Sequence, residues 1–431
     1  MALTGRAALL ALLGVPWVGF VQPGWGGIGT WLLVLAVAVT VDLARAASPR
    51  SLTIVRRPTS AVRLGEATET TLLITNPGRR RLRGVLRDAW QPSAGADVDR
   101  HPLDLPARER RRVSTRLQPT RRGDRLADRV SVRSVGPLGV AARQRSIEVP
   151  GSVRALPPFT SRKHLPSRLA RLREIDGRSS VNVRGQGTEF DSLRDYVDGD
   201  DVRSIDWRAT ARRRQVVVRT WRPERDRRVL LVLDTSRTAA GRVGDAPRLD
   251  AAMDAALLLA ALASRAGDRV DLLAVDRRVR AQVFGAGSSS LLAALVNAMA
   301  PLEAELLEAD WAVAVAAVQA RLSGRALVVL LTPLEAAAVE EGLLPVLGQL
   351  TRQHQVVVAS VADPAVAALT KARSSIEDVY DAAAAERAGL ERDRVTRLLS
   401  RLGADVVDAT PDQLPPALAD RYLALKAAGR L

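Results

Sequence analysis

The sequence predicts a multidomain protein in which an N-terminal transmembrane helical hairpin precedes an antiparallel β-sandwich and a doubly wound α/β domain. Three observations lead to this fold class: two uncharged apolar runs near the start, short alternating segments in the middle, and apolar strands that alternate with helices in the second half. The predicted boundaries are 1–47 for the hairpin, 48–155 for the sandwich, 156–227 for a linker with a charged motif and 228–431 for the α/β domain.

Composition excludes several classes of site. The 431 residues include no cysteine and three histidines, which rules out disulfide scaffolds, thiolate chemistry and a histidine-rich zinc centre. Lys163, Lys371 and Lys426 are not followed by Ser or Thr, so the sequence has no P-loop. The net charge of +17 comes from the first half, but aromatic residues make up 3% of the chain and do not interleave with the arginines, which disfavours nucleic acid as a partner.

The hairpin is predicted from the runs Ala7–Val21 and Gly24–Val41, each close to the minimum length of a spanning helix. Arg6 precedes the first run, and four arginines, Arg45, Arg50, Arg56 and Arg57, follow the second, whereas the connection is uncharged. Because positive charge favours the cytoplasmic side, we expect a cell-membrane protein with two transmembrane helices and with all soluble domains in the cytoplasm. A cleaved signal peptide is the alternative for the first run.

The sandwich is predicted from period-two segments between Leu52 and Val149, which are separated by turn signals such as Asn76-Pro77-Gly78. It is interpreted as a docking module or as a spacer, and its basic residues would also favour anionic lipid. In the second half, the strands Val229–Leu233, Arg269–Val275 and Gln355–Val361 alternate with helices such as Arg248–Arg265, a pattern typical of a mostly parallel sheet.

The segment Gly185–Trp207 reads GQGTEFDSLRDYVDGDDVRSIDW and alternates charged with apolar residues. With the basic stretch that follows it, this segment closely resembles the signature of the domain of unknown function 58 family. The resemblance extends upstream to TRRGDRL and SVGPLGV and downstream to a half that resembles a von Willebrand factor A domain. It implies a partner, since members of the family are commonly associated with MoxR-type AAA+ ATPases.

The charges of this motif allow two interpretations: a catalytic carboxylate cluster, or an arginine–carboxylate network that clamps the segment or docks a partner. Runs of charged residues are usually structural, and nearby arginines nearly match the carboxylates in number, which favours the network. The predicted structural or partner-docking residues are Glu189, Phe190, Asp191, Arg194, Tyr196, Gly199, Asp200, Arg203, Asp206 and Trp207.

A metal site is predicted where the first strand of the α/β domain ends. Asp234, Ser236 and Thr238 resemble the D-x-S-x-S start of a metal-ion-dependent adhesion site, and one carboxylate with two hydroxyls supplies hard oxygen ligands for Mg²⁺. The rest of that site is degenerate, because the loop Pro301–Trp311 has no threonine and the later Thr-Asp is Thr332-Pro333. The alternative is that Ser236 and Thr238 only cap the next turn.

These features together predict a non-enzymatic, membrane-anchored adaptor without catalytic residues. It would bind other proteins through the α/β domain and, as the resemblance implies, work with a MoxR-type AAA+ ATPase in assembling or activating envelope-related complexes. Two alternatives remain open: a metal-dependent hydrolase that uses Asp234 with Asp200 or Asp206, and a structural envelope protein whose sandwich binds lipid or polymer.

Overall fold

The computed structural model describes residues 1–182, 189–222, 227–371 and 374–431, and within these the side chains of 176–182, 189–192, 213 and 220–222 are outside the description. Internal contacts divide the chain into two compact units, Met1–Leu156 and Pro157–Leu431.

The first unit begins with apolar helices. A two-residue strand is followed by three α-helices and a π-helical turn: β1 (Ala2–Leu3), α1 (Gly5–Leu12), α2 (Gly14–Pro16), the π-helical turn Trp17–Val21 and α3 (Trp25–Arg45). The helical segment Trp25–Ser51 is long and apolar enough to cross a membrane, with a mean hydropathy of 2.0 and only 11% of its most apolar stretch buried. The segment Gly5–Val21 is apolar but shorter.

The two apolar helical segments contact each other through Trp31. The indole Nε1 of Trp31 donates a hydrogen bond to the carbonyl oxygen of Leu10 at 3.0 Å. A Cβ atom on Gly14 would lie 2.3 Å from Trp31 Cδ1, so a glycine is needed for the ring to pack here. The ring centroids of Trp17 and Trp31 are 5.8 Å apart, which adds an aromatic contact to the same interface.

Nine further strands make up the rest of the first unit: β2 (Thr53–Arg56), β3 (Val62–Arg63), β4 (Thr68–Thr75), β5 (Leu82–Trp90), β6 (Arg100–Leu105), β7 (Arg110–Leu117), β8 (Gly123–Val135), β9 (Ala141–Ile147) and β10 (Ser152–Leu156). One sheet contains β2, β4 and β7, and another contains β1, β3, β5, β6, β8, β9 and β10. All strand pairs are antiparallel except β3 with β10. Inward-facing residues of both sheets, among them Leu72, Ile74, Leu86 and Val132, form one apolar core.

A buried ion pair lies within this unit. Arg56 Nη2 and Asp88 Oδ1 are 2.7 Å apart, and their side chains are 3% and 0% exposed. The indole of Trp90 donates to Asp88 Oδ2 at 3.1 Å, so the carboxylate is well satisfied. The Arg56 side chain is therefore held inside the first unit by Asp88, although its place after α3 is where the sequence predicts a cytoplasmic positive charge.

The second unit alternates helices and strands: α4 (Leu165–Asn182), β11 (Glu189–Asp195), α5 (Trp207–Arg213), β12 (Val217–Arg222), β13 (Arg228–Asp234), α6 (Arg237–Ala240), β14 (Arg242–Val243), β15 (Ala246–Pro247), α7 (Arg248–Arg265), β16 (Arg269–Val275), β17 (Val279–Val283), α8 (Leu291–Met299), α9 (Trp311–Arg321), β18 (Leu327–Leu331), a π-helix (Ala338–Leu343), α10 (Leu344–Thr351), β19 (Gln355–Val361), α11 (Pro364–Leu369), α12 (Ile376–Arg401), β20 (Ala404–Ala409) and α13 (Leu414–Ala427). The strands β11 and β12 pair with each other in a sheet of their own.

The central sheet has the strand order β17-β16-β13-β18-β19-β20, in which β17 is antiparallel and the others are parallel. The strands β18 and β19 are buried along their whole length; β18 is apolar throughout, and β19 is apolar except for Gln355 and Ser360. Numbered along the domain, the order is 3-2-1-4-5-6, that of a doubly wound sheet. The connections therefore reverse direction between β13 and β18, which is where such folds place their ligands.

Candidate functional site

The side chains at the reversal point between β13 and β18 form the candidate site. Asp234 ends β13, and Thr332 directly follows β18, the neighbouring parallel strand. Since the carboxyl ends of parallel strands meet at the same edge, the two side chains meet across the sheet. Thr332 Oγ1 donates a hydrogen bond to Asp234 Oδ2 at 2.7 Å.

Residues of the next turn complete the surroundings of the Asp234 carboxylate. The backbone N–H of Ser236 donates to Oδ1 at 2.8 Å, and Thr238 Oγ1 donates to Oδ2 at 3.1 Å. The hydroxyl oxygens of Ser236 and Thr238 are 3.1 Å apart. The structure thus brings the three sequence-predicted metal ligands together, and it adds Thr332 as a fourth oxygen.

Burial dominates the electrostatics of Asp234. The residue is 2% exposed, and burial raises the pKa of its carboxyl above the ordinary value of 3.8. Hydrogen bonds from Ser236, Thr332 and Thr238 lower the pKa but do not cancel the effect of burial. A bound cation would favour the ionised form of this carboxyl.

A cavity of about 270 Å³ opens beside Asp234. Its lining combines the polar residues of the site with Trp311 and with the π-helix Ala338–Leu343. Such π-helical turns often occur at functional sites. A Cβ atom on Gly342 would lie 3.0 Å from Trp311 Cδ1, so the glycine permits the close packing of the π-helix on this ring.

An ion pair forms part of the cavity wall. Arg237 Nε and Glu308 Oε1 are 2.8 Å apart, and both residues line the cavity. The loop that carries Glu308 is fixed to the strand end, since the N–H of Arg237 donates to the Leu307 carbonyl at 2.8 Å and the N–H of Glu305 donates to the Thr235 carbonyl at 2.8 Å. The threonine-free loop therefore lies beside the site, where the Glu308 carboxylate is paired with Arg237 in the cavity wall.

A second buried carboxylate, Asp276, follows the neighbouring strand β16. Its Oδ2 atom accepts hydrogen bonds from Arg280 Nη1 at 2.7 Å and from Thr235 Oγ1 at 3.3 Å. Burial acts to raise the pKa of Asp276, but Arg280 and backbone N–H groups outweigh it and the pKa is lowered. Asp276 is thereby kept ionised and paired, and its role is to hold the strand end in place.

The donor set at Asp234 fits a hard divalent cation. One carboxylate and three hydroxyls are oxygen donors, and Mg²⁺ is usually held by one or two carboxylates while it keeps several waters. In the part of the chain that the structure describes, no group of three His, Asp or Glu side chains is arranged to hold a metal. One protein carboxylate alone predicts weak binding that a second, external carboxylate would strengthen.

The charged motif is stabilised by two ion pairs, one within the motif and one with Arg219 of β12. Arg194 forms a bidentate pair with Asp200 at 2.7 and 2.5 Å, and Arg219 Nε donates to Asp206 Oδ2 at 2.8 Å. Asp206 Oδ1 also accepts the N–H groups of Arg208 and Ala209, both at 3.0 Å, and so caps α5. The pKa of Asp206 is lowered by these bonds, most strongly by the hydrogen bond from the N–H of Ala209. Arg219 was not among the predicted motif residues.

The remaining predicted motif residues differ in position. The N–H of Tyr196 donates to the Val216 carbonyl at 2.8 Å, and Gly199 has a φ of 105°, which glycine adopts without strain. Arg203 is exposed and its N–H donates to Asp201. Trp207 is 68% exposed at the start of α5. The side chains of Glu189, Phe190 and Asp191, and all of 185–188, are outside the described residues.

Comparison with known proteins gives a family match for the second unit. The model of the family described as protein of unknown function DUF58 matches residues 192–399, slightly less than half of the chain. No curated protein matches the sequence.

Two solved structures are similar to parts of the chain. The ASH / PapD-like domain of human CEP192 is 16% identical over 25% of this chain and 89% of that one, with a TM-score of 0.18. A β-glucosidase from Listeria innocua is 16% identical over 24% of this chain and 16% of that one, with a TM-score of 0.15. Overlaps this small carry no conclusion about fold or function.

Proposed function

We propose that the protein is a non-enzymatic adaptor, anchored in the cell membrane by two helices, whose von Willebrand factor A-like domain binds partner proteins in the cytoplasm. The observation that carries this proposal is the oxygen cluster of Asp234, Ser236, Thr238 and Thr332 beside an open cavity at the reversal point of the sheet. A cation held by this cluster would have positions free for a carboxylate from a partner.

Both ends of the helical pair attach to the same sheet of the first unit, which supports two spans with both ends on one side. At the start, Leu3 of β1 pairs with Ala141 of β9. At the end, Asp42 of α3 accepts hydrogen bonds from the backbone N–H groups of Leu138, Val140 and Ala141 at 2.7, 2.6 and 2.9 Å. With the uncharged connection between the helices, this favours a cytoplasmic position for both ends.

The partner class is a MoxR-type AAA+ ATPase, as the family resemblance implies, and the process is the assembly or activation of envelope-related complexes. The exposed surface of α5, where Trp207 is 68% exposed and Arg208 and Arg212 are exposed, is a second candidate contact for such a partner. Aromatic and arginine side chains are enriched in protein interfaces.

Calorimetry of the full-length chain in detergent tests the site. We expect Mg²⁺ and Mn²⁺ to bind weakly, and Asp234→Ala to abolish the heat of binding, whereas Asp245→Ala removes an exposed carboxylate and leaves it unchanged. Retention of an AAA+ ATPase on the chain, purified from membranes, should also be lost in Asp234→Ala. Metal binding that survives Asp234→Ala would overturn the site, and phosphate-ester turnover that disappears in this variant would show a hydrolase instead.

A further inference from the structure

Several arginines cluster around the C-terminal end of α3, and the proposed adaptor role does not involve them. Arg45 is the last residue of α3, and Arg50 lies in the turn that follows it. Arg80 and Arg145 reach the same place from the strand region, because Arg80 Nη1 donates to the Ala44 carbonyl at 2.8 Å and Arg145 Nη1 donates to the Arg50 carbonyl at 2.5 Å.

Arg6 joins this group from the other apolar helix. A Cβ atom built on Gly139 would lie 2.6 Å from Arg6 Nη1, so the guanidinium packs on the turn between β8 and β9. That turn also holds the Asp42 carboxylate of α3. We call the five residues Arg6, Arg45, Arg50, Arg80 and Arg145 the arginine collar.

The collar carries positive charge that has no carboxylate partner among the described residues. Four of its five members are exposed, and Arg145 is half-buried. Capping a carbonyl uses one N–H, whereas a guanidinium has five, so most of the donors remain available. Other arginines of this unit are neutralised, as in the pairs Arg81 with Asp104 and Arg154 with Asp124.

The length of α3 places the collar at the depth of lipid phosphates. Before Asp42, which is buried against the turn between β8 and β9, the helix has 17 uncharged residues, 25–41, which span about 25 Å and so cross most of the hydrocarbon core. Trp25 begins the helix and is 86% exposed, as expected for an indole at the opposite interface. Arg45 and the residues around it then lie at the level of the headgroups.

We infer that the arginine collar binds the phosphate groups of anionic phospholipids and so fixes the first unit against the membrane surface. Guanidinium groups form bidentate hydrogen bonds to phosphate, and basic residues next to a span are attracted to anionic lipid. This inference rests on the membrane anchoring proposed above.

The test uses the full-length chain in nanodiscs made of equal parts of phosphatidylcholine and phosphatidylglycerol, with native mass spectrometry to count the lipids that remain bound. We expect the wild type to retain phosphatidylglycerol preferentially. The triple variant Arg50→Gln, Arg80→Gln, Arg145→Gln should lose this preference by about fivefold for each arginine removed. A control triple, Arg81→Gln, Arg87→Gln, Arg154→Gln, removes arginines that are paired with carboxylates and should retain it.

Three outcomes would overturn the inference: undiminished preference in the collar variant, equal loss in the control variant, or full competition by inorganic phosphate, which would indicate a site for free anions. The corresponding triple lysine variant keeps the charge and should retain the preference. If the lysine variant loses the preference as completely as the glutamine variant, the positive charge of the collar does not attract the lipid and the inference is wrong. Extraction of the wild type by alkaline carbonate would instead refute the membrane anchoring itself.

Discussion

Asp42 is expected to be the residue that joins α3 to the sheets of the first unit, and the substitution Asp42→Ala tests this. The residue is fully buried, and its carboxylate accepts three backbone hydrogen bonds, from Leu138, Val140 and Ala141. A Cβ atom on Gly136 would lie 2.4 Å from Asp42 Oδ1, so the turn is shaped to admit the carboxylate. Removing the carboxylate leaves three backbone N–H groups in a buried place without their acceptor.

The expected magnitude follows from these bonds. A hydrogen bond to a charged group contributes about 1.5–3 kcal/mol, so three contribute roughly 4.5–9 kcal/mol. Burial of the carboxylate costs several kcal/mol in the wild type, and this cost disappears in the variant. The net loss of local stability should therefore be about 3–5 kcal/mol. Since each 1.4 kcal/mol is a factor of ten, the amides of the turn should exchange with solvent about 10²- to 4 × 10³-fold faster.

Hydrogen exchange of the full-length protein in detergent measures this effect. The amides of Leu138, Val140 and Ala141 should lose protection, whereas those of Leu86 and Val132, in the central strands, serve as internal references. Asp42→Asn keeps one acceptor oxygen and should give an intermediate rate. If the three turn amides exchange at the wild-type rate in Asp42→Ala, the carboxylate does not hold the turn, and the reasoning is refuted.

Three further predictions concern the second unit. Acid should loosen the charged motif. Because the pKa of Asp206 is lowered, its carboxylate stabilises the fold at a pH above the ordinary pKa of 3.8, and this contribution is lost as the pH falls through the lowered pKa. In Asp206→Asn, the hydrogen exchange of α5 should no longer depend on pH in this range. Burial lowers the pKa of His354, whose ring nitrogens have no described partner. The unfolded chain therefore binds a proton more readily than the folded protein, and stability should fall as the pH drops below about 6.5. The variant His354→Leu should remove this loss and raise the melting temperature. Lys426 Nζ and Asp268 Oδ1 form a buried ion pair at 3.1 Å. The variant Lys426→Met should lower the free energy of unfolding by about 3–5 kcal/mol, and the added change Asp268→Asn should restore part of it. An unchanged unfolding midpoint in the single variant would refute the pairing.

Continuous apolar segments were predicted most accurately. The predicted bounds of Arg248–Arg265, Arg269–Val275 and Gln355–Val361 are those of α7, β16 and β19. These elements are buried on nearly all sides, so their composition alone indicates both their extent and their place in the core. A continuous apolar composition is therefore sufficient to predict an element where both of its faces are buried.

Strands whose exposed face is rich in arginine, or which contain a proline, have a weaker sequence signal. The sequence of β7 is RRRVSTRL, in which arginines cover the outer face and only every second residue from Val113 onward is buried. β6 contains Pro102, which weakens the signal of a strand. The apolar run of residues 216–218 does not join the central sheet: β12 pairs with β11, with Val217 opposite Asp195 and Val218 opposite Arg194. Pairing partners depend on long-range contacts that local composition does not encode.

The chemical nature of the donors separates the two buried carboxylates that matter most. Asp42 accepts hydrogen bonds from backbone N–H groups, which can only donate, so nothing around it can turn to bind a cation. Asp234 accepts from the hydroxyls of Thr238 and Thr332, and a hydroxyl can rotate to present a lone pair instead. Burial of a carboxylate thus has different consequences in the two units. Asp42 can only hold the backbone of the first unit in place, whereas the hydroxyls around Asp234 can reorient so that the cluster binds a cation. The sequence shows an aspartate at each place, but Thr332 lies 98 residues from Asp234, and only the parallel pairing of β13 with β18 brings its hydroxyl to the site.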